Sequence, residues 1–161
     1  MRALPTTSLA KALTGRLAAL SLAAMLCNSA AAQGLTVPII VDSAIPQSLT
    51  VVPGDPVEGE RIARDMTNAS CLICHALPIA DEPDPGNIAP PLDGVADRYS
   101  EGELRLRLVD PKAINPDTVM PAYYKSEGLN RVLELYAGKP IYTAQQVEDV
   151  VAYLMTLREA P

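Results

Sequence analysis

The chain has 161 residues, enough for one domain of ordinary size or a small domain behind a processed leader. Apolar residues make up 48% and charged residues 20%, which excludes a disordered or membrane-embedded chain, and the net charge of −6 argues against nucleic acid or an anionic membrane as partner. A single His rules out any multi-His metal site, and six Tyr without Phe or Trp leave the core short of aromatic bulk.

At the N-terminus Arg2, Lys11 and Arg16 precede eleven uncharged residues, 17–27, and no acidic residue occurs before Asp42. Ala30, Ala31 and Ala32 then give a small-x-small site, so the pattern is that of a secretory signal peptide cleaved after Ala32. Eleven residues fall short of the roughly 20 that span a bilayer, and Leu26 is too bulky to precede a lipidated Cys27. The expected organisation is a leader over 1–32, an extended segment over 33–54 and a folded domain over 55–161, exported to the periplasm without membrane insertion. Removing the leader leaves ten basic and nineteen acidic residues, a net charge of −9, and only Cys71 and Cys74 as cysteines.

Three helices are legible in the folded part. The first starts at Asp55, an N-cap followed by Pro56 at the first helical position, with Glu58 and Glu60 at the positive end of the dipole. It is expected to turn Val57, Ile62 and Met66 inward. The second opens with the Ser100-x-x-Glu103 capping box, packs Leu104 and Leu108, and stops at Asp110 before Pro111. The third opens with Thr143-x-x-Gln146 and repeats Val147, Val150, Val151 and Leu154 at helical spacing. Gly59 in the first and Tyr153 in the third would permit a close crossing. An isolated helical Gly costs about 1 kcal/mol against Ala, so packing is its reason.

Cys71-Leu-Ile-Cys74-His75 is C-x-x-C-H, the attachment pattern of a c-type haem. Two thiols a helical turn apart can each form a thioether to one edge of the porphyrin, and the next residue then offers an imidazole to the iron. A thioredoxin-type C-x-x-C would need a preceding strand and a βαβ setting, which no β-rich run supplies. A structural zinc site would need a fourth ligand. The export signal agrees, since c-type haem is attached outside the cytoplasm, and a porphyrin would supply the missing aromatic body.

With one His, the distal iron ligand must come from elsewhere. Met66 precedes Cys71 too closely to reach the opposite face, and Met155 sits in the apolar stripe of the third helix. Met120 lies in the stiff loop Asn115-Pro-Asp-Thr-Val-Met-Pro121, where Pro121 keeps it extended. Met120 is therefore the expected distal ligand, with Lys125 the next candidate. His75/Met120 ligation would leave no open position on the iron, so the haem would pass electrons and not bind substrate.

From Asp55 onward the chain resembles a class I cytochrome c, an all-α fold packed around one covalently attached haem: a Gly-bearing first helix, C-x-x-C-H, Ala89-Pro-Pro-Leu-Asp-Gly-Val-Ala-Asp-Arg98, Met-Pro, and a Tyr-bearing last helix. The resemblance implies that the Pro90 carbonyl accepts the proton on His75 Nδ1, and that Arg98 bonds a haem propionate. Ala89 departs from the family's usual Gly. The stretches PPLDGVADRYSEGELRLRLVDP, VMPAYY, GLNRV and GKPIYTAQQVEDVVAYLMTLR also resemble the X subunits of the SoxXA cytochromes of thiosulfate oxidation. In that family a SoxA-type cytochrome partner carries the catalytic haem. The heterodimer acts as an L-cysteine S-thiosulfotransferase, joining thiosulfate to a carrier-protein cysteine. The X subunit then passes the electrons to a diffusible acceptor cytochrome. A free periplasmic electron shuttle is the alternative. Residues 121–142, long for a connection and rich in Tyr, suit either a docking surface or a flap over the porphyrin.

Overall fold

The computed structural model describes residues 37–80, 82, 84 and 86–159. The expected leader lies outside them. Among the described residues, four α-helices carry the fold: α1 (Pro56–Arg64), α2 (Val95–Arg98), α3 (Glu101–Val109) and α4 (Ala144–Leu154). Short 3-10 turns occur at Cys71–Ile73, Pro111–Ala113 and Glu134–Tyr136, and the described residues form no strand beyond one isolated bridge between Val41 and Ala44.

The helix ends follow from local hydrogen bonding. Asp55 caps α1 by accepting from Val57 N at 2.9 Å, with Pro56 in the first turn where a missing N–H costs nothing. Both capping boxes form as read: Ser100 N donates to Glu103 Oε2 at 2.9 Å and Thr143 N to Gln146 Oε1 at 2.9 Å. α3 ends at Asp110, since Pro111 has no N–H to continue the ladder.

α1 crosses α4 at Gly59. A Cβ there would strike the Asp149 carbonyl and approach Tyr153 Cβ to 2.8 Å, so only glycine permits this approach. That crossing decides which face of α1 is inward: Gly59, Ile62 and Ala63 are buried. Val57 and Met66, expected inside, are exposed. Val57 lies two residues from Gly59, on the far side of a 3.6-residue turn. Met66 falls beyond the helix, which stops at Asp65, whose carboxylate accepts from Thr67 in a turn. In α4 the expected stripe of Val147, Val150, Val151 and Leu154 is buried.

α3 meets α4 through a buried ion pair. Arg105 Nε donates to Glu148 Oε1 at 2.8 Å and Nη2 to Glu148 Oε2 at 2.9 Å, with both side chains under 5% exposed. Arg105 Nη1 also donates to Ile45 O at 2.8 Å, and Glu148 Oε1 accepts from Leu49 N at 2.8 Å. Ile45 and Leu49 enter the core, so the segment before α1 is lashed to the helices through the same two charges.

Candidate functional site

Cys71 opens the 3-10 turn Cys71–Ile73, separated from the end of α1 by residues 65–70, with Cys74 as its C-cap and His75 next. Ser70 caps it, accepting from Leu72 N at 3.2 Å, and anchors it by donating Oγ–H to Ala63 O at 2.7 Å. In a turn of three residues, positions i and i+3 eclipse, so the thiols of Cys71 and Cys74 share one side. Burial pushes the Cys71 thiol up to about 11.

The loop after this turn closes back on it. Gly86 N donates to Leu72 O at 2.8 Å, and Ile88 N and Ala89 N both donate to Cys74 O, at 3.1 and 2.9 Å. A Cβ on Gly86 would lie 2.6 Å from backbone atoms of Ile73 and Cys74, so glycine is needed for this approach. Ala89, where the family pattern has Gly, still makes its backbone bond. The loop delivers the Pro90 carbonyl 2.6 Å from His75 Nδ1. A carbonyl can only accept, so Nδ1 carries a proton; in the neutral ring that leaves the Nε2 lone pair available to a metal.

Cys71, Cys74, His75, Pro90, Arg98 and Met120 all line one cleft of about 310 Å³. Its floor is apolar, with Leu92, Val95, Leu104, Leu108 and Leu154. Met120 is half-buried against the core, and its N–H donates to Thr118 Oγ1 at 3.2 Å. Met66 and Met155 do not line the cleft. Lys125 donates to Asp110 Oδ2 at 2.6 Å, an ion pair that occupies its ammonium. Arg98 is exposed, and its guanidinium donates to Asp93 O at 2.8 Å and Pro91 O at 3.1 Å, bracing the loop that presents Pro90. Three of its five N–H donors remain for other acceptors.

Two cleft residues escaped the sequence reading. Arg107 lies 3.7 Å above the Tyr99 ring and donates Nη1–H to Glu103 O at 2.9 Å. Its place three residues after Leu104, on the same helical face, was the available signal. The 121–142 segment is split. Tyr123 and Tyr142 stack in the core with centroids 4.6 Å apart, and Tyr123 lines the cleft, while Leu133 and Leu135 are exposed.

Paired thiols, an imidazole with a free Nε2, a thioether and cationic groups around one apolar cleft match the chemistry of haem: vinyl groups, iron, an apolar ring and carboxylates. Helices enclosing such a cleft make this a small haem protein of the electron-carrier class. The family model described as Cytochrome c matches residues 57–158, and the chain belongs to that family. Its fold is the all-α class I cytochrome c fold, and Cys71 and Cys74 are its haem-attachment pair. Among solved structures, the crystal structure of SoxXA from P. pantotrophus is similar, with 44% identity and a TM-score of 0.68 over 76% of this chain and 95% of that chain. The c-type cytochrome SorU from Sinorhizobium meliloti shows 21% identity and a TM-score of 0.41 over 64% of this chain and 90% of that chain. No curated protein sequence gives a significant match.

Proposed function

We propose that this chain is the electron-transfer subunit of a SoxXA-type enzyme, paired with a SoxA-type cytochrome that carries the catalytic site. The observation that carries this reading is the 44% identity to a SoxXA chain over 95% of that chain's length. The joined enzyme would be an L-cysteine S-thiosulfotransferase. Forming an S–S bond between thiosulfate and a carrier cysteine thiolate releases two electrons. This chain would take them singly from its partner and yield them to a diffusible cytochrome.

Haem, when bound, supplies reversible one-electron exchange. His75 would hold the iron through Nε2: the Pro90 carbonyl holds the proton at Nδ1, orients the ring and raises the basicity of Nε2. Met120 would hold the iron through its thioether, a soft donor that would favour the reduced state relative to a nitrogen donor. With His75 and Met120 both engaged, the site would exclude small molecules and serve electron passage alone. Arg98 steadies the Pro91 and Asp93 carbonyls, and its remaining donors would be offered to a propionate. The leader over 1–32 directs the chain to the periplasm, and among the described residues no helix is long and apolar enough to cross a membrane.

The test is size-exclusion of a native periplasmic extract, following haem absorbance and this chain together. Co-elution with a second, larger haem protein at high salt is the expected result, because an obligate interface is large and apolar. Elution as a small monomer would instead make the chain a free electron shuttle.

A further inference from the structure

Lys112 is exposed on the 3-10 turn Pro111–Ala113, whose Pro111 is buried in the cleft lining; Lys112 itself does not line the cleft, and none of the roles above uses it. Its ammonium nevertheless donates to two carbonyls of the following loop, Pro116 O at 2.9 Å and Thr118 O at 3.0 Å. Asp117 N donates to Asn115 Oδ1 at 3.0 Å and Thr118 N to Asn115 O at 3.1 Å, so the loop also folds on itself. Thr118 Oγ1 then accepts from Met120 N at 3.2 Å. A short series of contacts thus runs from the Lys112 charge to the backbone of the thioether-bearing residue. The carboxylate beside this turn, Asp110, is already paired with Lys125 and does not draw Lys112 away.

We propose that Lys112 is a positioning residue for Met120: its ammonium bridges the Pro116 and Thr118 carbonyls, closes the loop, and keeps the thioether in the cleft against competing ligands. This rests on the reading that Met120 is the distal iron ligand. An ammonium has three donors, so it can serve two carbonyls at once and keep one donor for water. Replacing it with a neutral side chain returns both carbonyls to solvent. The loop is then held by the Asn115 turn, the Met120 N–H to Thr118 Oγ1 bond and its two prolines, with no cation bridging its carbonyls. An outside ligand can enter only when Met120 has left, so its apparent affinity rises with the fraction of molecules in that open state.

The test uses the ferric holoprotein, titrated with imidazole while the thioether-to-iron charge-transfer band is followed. Lys112→Gln should bind imidazole on the order of tenfold more tightly, through a larger open fraction. Lys112→Arg keeps a cation able to reach two carbonyls and should stay within about twofold of the parent. Lys139→Gln, an exposed lysine elsewhere, should change nothing. The thermal midpoint of the helical circular dichroism should be unmoved in all three. Unchanged imidazole affinity in Lys112→Gln, with the band present in the parent, overturns the role of Lys112 alone. A drop in thermal midpoint matching the gain in affinity assigns Lys112 to the fold and overturns it too. Absence of the band in the parent removes the Met120 reading and this role with it.

Discussion

At the scale of single residues, the site depends on groups that have only one way to bond. The Pro90 carbonyl can only accept, so at 2.6 Å it fixes the His75 tautomer without any charged partner. The thioether of Met120 has no comparable fixed partner and depends on its loop. Met120→Ala should abolish the thioether-to-iron band and lower the reduction potential of the holoprotein, read by optical titration. Met66→Ala and Met155→Ala should spare both, because neither lines the cleft. Loss of the band in Met155→Ala would overturn the distal assignment. The ligand candidates were legible because the chain has one His and few Met, and chemistry narrowed the choice. Arg107 and Lys112 were not legible, since a guanidinium over Tyr99 and an ammonium on two carbonyls depend on how neighbouring turns are aimed.

Among the helices, two contacts set the packing. At the crossing of α1 with α4, Gly59→Ala would gain about 1 kcal/mol of helix propensity but force apart backbones already in contact. Overpacking of this kind costs about 1–3 kcal/mol, and a rigid carbonyl cannot yield as a side chain can. The expected outcome is a lower thermal midpoint; a higher one would show that the crossing tolerates a methyl group. Between α3 and α4 the buried pair behaves differently. Arg105→Leu alone strands Glu148 without its partner and should cost about 3–5 kcal/mol in denaturant unfolding. The double change Arg105→Leu with Glu148→Leu should recover a large part of that loss, which a double-mutant cycle measures. The caps at Asp55, Ser100 and Thr143 could be read because each bond closes within three residues. The pairing of Arg105 with Glu148, 43 residues apart, could not.

For the whole molecule, the tyrosines that replace Phe and Trp bring a dependence on alkaline pH. Burial pushes Tyr153 up to about 12, and burial also raises Tyr123 and Tyr142 above the ordinary value of 10.0. A phenol whose folded value is raised contributes stability that is complete below pH 10 and is lost as pH rises through the folded value. The denaturant midpoint should therefore hold up to about pH 10 and fall between pH 10 and 12. Tyr153→Phe should make that fall shallower, with the remainder carried by Tyr123 and Tyr142. An equal fall in the variant would show that Tyr153 does not govern it.

The sequence alone determined what depends on neighbours along the chain: helix starts at Asp55, Ser100 and Thr143, the thiol spacing of Cys71 and Cys74, and the stop at Pro111. It also carried the chemistry of the cofactor, because thiol, imidazole and thioether are properties of residue types. The tertiary structure decided which faces turned inward. Gly59 against α4 put Val57 outside, and the end of α1 at Asp65 put Met66 there as well. It also decided that Arg98 braces the Pro91 and Asp93 carbonyls, and that one loop carries both Met120 and the contacts that hold it. The physical reason is the range of the forces. Capping and turn chemistry act within three or four residues, whereas burial and ion pairing act between surfaces that meet only once the helices have packed.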